Sequence, residues 1–126
     1  MNQLVNIFKV LADETRLRMI ILLYQEELCV CELSGILGVP QPRISQNLSR
    51  FRDLNLVADQ RKEKYVFYSL CKENKTLISI LENIAADLDS YPKLAADRSK
   101  LGDKERYLSQ CGNTCGQSID PDANKI

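Results

Sequence analysis

The stretch of sequence that decides the fold is CVCELSGILGVPQPRISQNLSRFRDL, residues 29–54. Apolar side chains recur at helical spacing on both sides of Gly38, Val39 and Pro40, and these three residues are typical of a helix end followed by a turn. The spacing predicts a short helix over residues 29–37. Pro42 suits the first position of a second helix, whose apolar stripe continues to residue 54. Two helices are therefore expected to meet across a tight turn.

Two further helices are predicted before this pair. The first is short and amphipathic and ends before Asp13, which is expected to cap the second. The second helix carries apolar residues on several faces, so it should be the most buried element. The residues that support these two helices are Leu4, Ile7, Phe8 and Leu11, then Leu17, Ile20, Ile21 and Tyr24.

Beyond residue 55 the apolar period changes from helical spacing to two. Residues 56–70 predict a β-hairpin with a basic tip, and because the tip lacks Gly or Asn, a longer or less regular loop is expected. Leu77, Leu81, Ile84 and Leu88 then predict a fifth helix. Its apolar surface is wide, so pairing with a second copy of the chain is expected.

The predicted fold class is mainly α with a small β-hairpin, arranged as a winged helix-turn-helix that is dimeric through its terminal helices. Residues 1–91 are assigned to this DNA-binding and dimerisation domain. Residues 92–126 are expected to form a polar, flexible tail that carries a Cys pair. The length of 126 residues leaves little room for a second domain.

Composition excludes several classes of function. No apolar run is long enough to cross a membrane, and the first residues lack a secretory pattern, so a cytoplasmic location and no membrane partner are expected. Histidine is absent, which removes the commonest general base and metal nitrogen ligand. Any site chemistry must therefore come from other residues. The chain as a whole is not expected to be an enzyme or to hold an organic cofactor.

Positive charge is concentrated in one segment although the net charge is zero. Residues 41–64 hold six basic and three acidic side chains. The outward face of the fourth helix and the hairpin tip thus predict a surface for double-stranded DNA, with Arg, Gln and Ser suited to base edges and the basic tip suited to phosphates. The predicted contacts are Gln41, Arg43, Ser45, Gln46, Ser49 and Arg50 on the helix, and Arg61, Lys62 and Lys64 on the hairpin.

Two cysteines, Cys29 and Cys31, begin the third helix. On an ideal helix their side chains would stand roughly 200° apart, so both can reach one ion only where the first turn is unwound or not yet helical. Thiolates suit soft ions, and such an ion could distort this turn against the next helix. A second pair, Cys111 and Cys115, could complete a three- or four-sulfur site or form a disulfide.

The runs ELCVCEL at 27–33 and QPRISQNL at 41–48, the wing ending at 65–70 and LADETRL at 11–17 resemble the ArsR/SmtB family of metal-responsive repressors. The likeness covers roughly residues 4–90. It implies a homodimer that binds a palindromic operator and releases it when As(III), Sb(III) or a soft divalent metal occupies the cysteines.

Three positions depart from the pattern of that family. Ser34 stands where arsenite-responsive members commonly have a third cysteine, so the third sulfur is expected from Cys71, Cys111, Cys115 or outside the chain. Pro40 stands where many members have Ser or Thr, and Asn47 stands where many have His, so a different DNA sequence preference is expected. The zinc site that the family builds with histidine on its last helix is not expected.

Other functions stay open at this point. A Cd, Pb or Zn sensor would draw four sulfurs from residues 29, 31, 111 and 115, and a redox switch would use a disulfide instead of an ion. A thiol oxidoreductase is disfavoured because no pair of cysteines is separated by two residues before a helix. An interaction module without DNA binding is the remaining alternative.

Overall fold

Six α-helices and a three-stranded antiparallel sheet make up the part of the chain that the computed structural model describes, residues 2–104 and 107. The elements are α1 (Asn2–Leu11), α2 (Glu14–Gln25), β1 (Leu28–Cys29), α3 (Val30–Leu37), α4 (Gln41–Asp53), β2 (Val57–Lys62), β3 (Tyr65–Leu70), α5 (Lys75–Ala86) and α6 (Pro92–Ser99). Short 3-10 turns over Leu88–Ser90 and Lys100–Asp103 flank α6. This order confirms the predicted winged helix-turn-helix.

Helix α2 lies at the centre of the core. Its five consecutive residues 19–23 are all buried, and the helix contacts α1, α3, α5, α6 and β3. Asp13 caps it as predicted, since Oδ2 of Asp13 accepts a hydrogen bond from the Arg16 N–H at 3.1 Å. No helix within residues 2–104 and 107 has the length and apolar character needed to traverse a bilayer.

The turn between α3 and α4 is closed by Ser34 and Gly38. Gly38 adopts a left-handed conformation with φ 68°, which glycine accepts without strain, and its N–H donates to the Ser34 carbonyl at 2.8 Å. The Ser34 hydroxyl donates to the Val39 carbonyl at 2.6 Å. Ser34, which stands where the resemblance implies a third cysteine, therefore closes the turn of the helix-turn-helix.

The sheet has the strand order β1-β3-β2 and differs from the predicted hairpin in two respects. Leu28 and Cys29 form a third strand, so α3 begins at Val30 and Cys29 is its N-cap. The hairpin loop is also tight: Lys62 pairs with Tyr65, which leaves only Glu63 and Lys64 in the loop. Glu63 reaches φ 57°, a conformation that costs about 1 kcal/mol outside glycine and that the six-pair strand register holds in place.

The described part of the predicted tail is helical and packed. Leu94 and Leu101 are buried, and Asp97, which is 2% exposed, accepts two hydrogen bonds from the Arg18 guanidinium on α2 at 2.8 and 2.9 Å. The polar composition of residues 92–104 does not predict these contacts, because Asp97 is buried as the partner of a charged side chain and not as an apolar residue. The remaining residues of the predicted tail lie outside the described part, and the division at residue 91 stays a prediction.

We expect Asp97→Asn to lower the free energy of unfolding by about 1–3 kcal/mol, because the mostly buried Arg18 guanidinium loses its charged partner. Urea denaturation measures this loss. Lys93→Gln is the matched control, because it breaks the 2.7 Å ion pair between Lys93 and Glu14. The two side chains are 67% and 62% exposed, so this variant should leave the urea midpoint unchanged. Equal losses in both variants would contradict the structural role of Asp97.

Candidate functional site

The outward face of α4 presents the polar residues that the sequence predicted. Ile44, Leu48 and Phe51 are buried against the core, which turns the opposite face to solvent. Of the predicted base- and phosphate-contacting residues on this helix, Gln41 is half-buried. The others are exposed, and they are Arg43, Ser45, Gln46, Ser49 and Arg50. The structure thus collects these donors on one surface, and their contacts with DNA stay a prediction.

The wing formed by β2 and β3 exposes its three predicted cations, Arg61, Lys62 and Lys64, near the hairpin tip. Two of them have partners within the chain. The Lys62 ammonium lies 2.5 Å from Oε1 of Glu27 and 5.7 Å from the centroid of the Phe67 ring, and the Lys64 ammonium lies 5.5 Å from the Tyr65 ring. Contact of Lys62 with a phosphate therefore requires it to leave Glu27.

Asn47 points into the protein although it belongs to α4. It is 9% exposed, its Oδ1 accepts a hydrogen bond from Arg16 Nε at 3.3 Å, and its amide nitrogen donates to Met19 Sδ at 3.6 Å. Asn47 therefore ties α4 to α2. The different DNA preference expected from this position stays a prediction.

The thiol pair lies where β1 ends and α3 begins. Cys29 is fully buried with extended backbone at φ −98° and ψ 173°, and Cys31, 3% exposed, is in the first turn of α3. Because Cys29 is not helical, the 200° separation expected on an ideal helix does not apply to this pair. The sequence analysis required a first turn that is unwound or not yet helical for both sulfurs to reach one ion, and the extended backbone of Cys29 meets this requirement.

Burial raises the pKa of the Cys29 thiol to about 12, although the backbone N–H groups of Glu32 and Cys31 favour the thiolate. Cys31 is disulfide-bonded, whereas Cys29 and Cys71 carry free thiols. Phe67 of β3 packs against the cluster that Cys29 and Cys31 form. The three side chains form a cluster that is separate from the main core.

Glu32 belongs to the same place and was missed by the sequence reasoning. It is 1% exposed, its Oε1 accepts the Cys29 N–H at 3.0 Å, and the two residues form a reciprocal capping box. Burial raises the pKa of this carboxyl. The signal was present in the sequence, because a capping box places Glu three positions after the N-cap.

Cys71 cannot share an ion with Cys29. Cys29 pairs with Phe67, and Cys71 follows four residues later, about 13 Å along the strand direction. Among residues 2–104 and 107, no group of three or more Cys, His, Asp or Glu side chains could hold a metal ion. A site with three sulfurs therefore needs donors beyond this part of the chain, where the predicted ligands Cys111 and Cys115 lie.

The segment after α6 runs along α3. The Lys100 ammonium donates to the Ile36 carbonyl at 3.3 Å, and that of Lys104 lies 2.5 Å from Oε1 of Glu26. Tyr107 lies against Gly35 so closely that a methyl group there would overlap the Tyr107 ring and stand 2.8 Å from its Cβ. Gly35 is thus required for close approach of this segment to the helix that carries Cys31.

A family model described as bacterial regulatory protein, arsR family, matches residues 13–59, from the N-cap of α2 into β2. The solved structure of HlyU from Vibrio cholerae is similar to this chain, with a TM-score of 0.59 and 33% sequence identity, over 68% of this chain and 95% of that one. This chain belongs to the ArsR family.

Curated relatives of this ArsR-family chain are named for arsenic or cadmium resistance. The arsenic resistance transcriptional regulator ArsR1 of Pseudomonas putida is 47% identical over 68 residues, 53% of each chain. The arsenical resistance operon repressor of Escherichia coli is 45% identical over 67 residues, 52% of this chain and 57% of that protein. The cadmium resistance regulatory protein CadC of Listeria innocua is 30% identical over 76 residues, 60% of this chain and 62% of that protein. The chain thus matches little more than half the length of these relatives.

We expect the Cys29 thiol of the metal-free protein to react with iodoacetamide at pH 8 at least about 100-fold more slowly than a thiol with an ordinary pKa. Its raised pKa leaves roughly one molecule in 10⁴ as thiolate at that pH. The rate should rise about tenfold per pH unit up to the pKa. Peptide mass spectrometry measures the rate, with the cysteine of an unstructured peptide as the reference, because burial also raises the pKa of the Cys71 thiol. Equal rates in the protein and in the peptide would contradict the expected protection of Cys29.

Proposed function

We propose that this ArsR-family protein is a cytoplasmic repressor that binds operator DNA as a homodimer and dissociates from it when As(III) or Sb(III) binds cysteine thiolates. One observation carries the proposal: Cys29 and Cys31 lie at the junction of β1 and α3, directly before the helix-turn-helix and against the wing strand. Once the disulfide of Cys31 is reduced, a guest that bonds to both sulfurs must move the first turn of α3. The names of the two arsenic-resistance relatives support the choice of ion.

The DNA-binding part of the proposal rests on the exposed faces of α4 and the wing. In a winged helix-turn-helix the second helix of the pair enters the major groove, and here that helix offers Arg, Gln and Ser to base edges and phosphates. The wing cations Arg61, Lys62 and Lys64 would contact the backbone, so affinity should fall as salt rises.

The third sulfur of the proposed site comes from Cys111, with Cys115 as the second choice. Tyr107 docks at Gly35, one helical turn or about 6 Å from Cys31. Cys111 is four residues beyond Tyr107, and four residues span at most about 14 Å. The docked segment therefore begins close enough to the thiol pair for Cys111 to reach it. Sulfur donors suit thiophilic ions such as As(III) and Sb(III).

The homodimer of the proposal is assigned to the terminal helices. Leu77 and Leu81 of α5 are buried within the protomer, while Ile78, Ile80 and Ile84 remain half-buried. On α1, Val5 and Phe8 are 43% and 55% exposed. These apolar side chains are available to a second copy of the chain, and closed two-fold pairing is the commonest form of oligomer.

Two alternatives are each supported by an observation. A Cd, Pb or Zn sensor with four sulfurs from residues 29, 31, 111 and 115 is supported by the similarity to a cadmium resistance regulator. A redox switch, in which a disulfide moves α3 instead of an ion, is supported by the disulfide-bonded state of Cys31.

We expect Cys29→Ser and Cys31→Ser to keep operator affinity within about threefold and to abolish release by arsenite, because each removes a sulfur and leaves the DNA-facing residues in place. Serine is a preferred N-cap, so Cys29→Ser retains the start of α3. Electrophoretic shift of operator DNA under full reduction, with and without arsenite, measures both quantities.

Cys71→Ser serves as the control for this experiment and should respond to arsenite as the native chain does. An unchanged arsenite response in Cys29→Ser and Cys31→Ser would end the assignment of the sensor. Release by an oxidant, with no release by arsenite in the reduced native chain, would favour the redox switch.

We expect Gly35→Ala to weaken arsenite affinity by about tenfold or more, since the new methyl group displaces Tyr107 and with it the segment that leads to Cys111. X-ray absorption of the arsenite-loaded protein should count three sulfur neighbours in the native chain and two in the variant. Tyr107→Gly in the Gly35→Ala background removes both the ring and the Cβ that the new methyl group would meet, and should recover part of the affinity. Four sulfur neighbours around Cd in the native chain would favour the cadmium alternative. Unchanged affinity in Gly35→Ala would reject a ligand from the C-terminal segment.

A further inference from the structure

The outer face of the small sheet carries both Cys29 and the side chains of the wing. Residues directly opposite each other in an antiparallel pair share a face, and alternate residues of one strand do the same. Cys29 is opposite Phe67, Lys62 is opposite Tyr65, and Tyr65 and Phe67 alternate along β3. All four side chains therefore lie on one face, whereas Leu28, Tyr68 and Leu70 lie on the face toward the core.

Phe67 is the side chain that joins the two parts of this face. It packs against the cluster of Cys29 and Cys31, its ring meets the Tyr65 ring edge-on with centroids 6.3 Å apart, and the Lys62 ammonium stands 5.7 Å from its centroid. The same ammonium pairs with Glu27, two residues before Cys29. A closed circuit of contacts thus runs from Cys29 through Phe67 and Lys62 to Glu27 and back along β1.

Strand β1 is a weak point in this circuit. It contains only two residues, and its last one, Cys29, is held between the pairing with Phe67 and the cap of α3. Once the disulfide of Cys31 is reduced, a guest that bonds to both sulfurs must move Cys29 relative to Cys31. Because Phe67 is opposite Cys29 in the sheet and packs on the cluster of the two cysteines, its ring moves with them, and Lys62 then loses one of its two partners, the Phe67 ring and Glu27.

We propose that Phe67 is the positioning residue that transmits occupancy of the thiol pair to the wing, where Lys62 is exchanged between Glu27 and the DNA backbone. This rests on the proposed function, since it assumes that the thiols bind an ion and that the wing binds DNA. It adds a route of control through β3 to the distortion of α3. The contact of Lys62 with DNA then depends on the state of the two cysteines through the Phe67 ring and the ion pair of Lys62 with Glu27.

The decisive measurement is the coupling ratio under full reduction, defined as the dissociation constant of the full-length dimer for operator DNA at saturating arsenite divided by the value without arsenite. Phe67→Leu keeps an apolar side chain on the sulfurs but removes the ring that holds Lys62. We expect it to lower the coupling ratio at least threefold. Val66→Ala, on the opposite face of the same strand, is the control and should keep the native ratio.

A second pair of variants tests the ion pair at exposed positions where loss of folding is not expected. Glu27→Gln should tighten DNA binding about two- to fivefold without arsenite, because Lys62 no longer has a competing partner. Lys62→Gln should weaken it and reduce the dependence of log affinity on log salt concentration by about one. Both variants should also lower the coupling ratio. In the native chain, amide exchange over residues 65–70 should change on addition of arsenite.

The outcomes separate the two proposals. A native chain that does not release DNA with arsenite shows that the proposed function is wrong, and this inference falls with it. A native chain that does respond, with native coupling ratios in Phe67→Leu, Glu27→Gln and Lys62→Gln, overturns the wing route alone. Lower ratios in these variants with a native ratio in Val66→Ala support it. If Phe67→Leu does not fold, the two exposed variants decide by the same criterion.

Discussion

The capping of α3 by Cys29 is the interaction on which the rest of this structure depends. A single residue ends strand β1, begins helix α3 and carries one of the two closely spaced sulfurs. Its extended backbone fixes the direction in which α3 starts, and the reciprocal bond from its N–H to Glu32 holds that direction in a buried setting. Any change in the bonding of this sulfur must therefore be felt by a strand and a helix together.

Two other polar ties fix α4 relative to this start. The Ser34 hydroxyl and carbonyl close the turn after α3, and Asn47 connects α4 to Arg16 and Met19 of α2. These contacts are hydrogen bonds in partly or fully buried places, so they are directional and break when the helices shift by a small distance. The helix-turn-helix is thus held as a unit whose orientation depends on where α3 begins.

The helices, the turn and the exposed faces could be predicted from the sequence because each depends on local periodicity. Ile44, Leu48 and Phe51 determine which side of α4 is outward, and no distant partner is needed to read it. The same reasoning missed β1, because a two-residue strand leaves no periodic pattern and exists only through its pairing with Phe67. It also missed the tight hairpin loop, where the strand register imposes a left-handed Glu63 that local preference disfavours.

Long-range polar partners were the other features that the sequence could not supply. Asp97 and Arg18 are 79 positions apart, and Lys62 and Glu27 are 35 apart, so nothing in either segment indicates the match. The consequence differs between the two pairs. The pair of Arg18 and Asp97 holds α6 against α2, although this segment was predicted to be flexible. The pair of Lys62 and Glu27 gives Lys62, a predicted DNA contact, an alternative partner within the chain. Residues assigned to a surface by exposure alone can therefore be engaged within the protein.

The burial of Cys29 also determines which guests can act on this junction. A thiol whose pKa lies near 12 resists ionisation at pH 7 by about 7 kcal/mol, so a guest must form a bond to sulfur strong enough to offset that cost. Hard cations such as Mg²⁺ and Ca²⁺ prefer oxygen and cannot do so, whereas thiophilic ions can. Displacing the proton also replaces a small capping group by a bulkier bonded one in a place that is fully buried. Burial therefore has two effects: it makes the sulfur unreactive toward most partners, and a guest that did bond to it would disturb the start of α3.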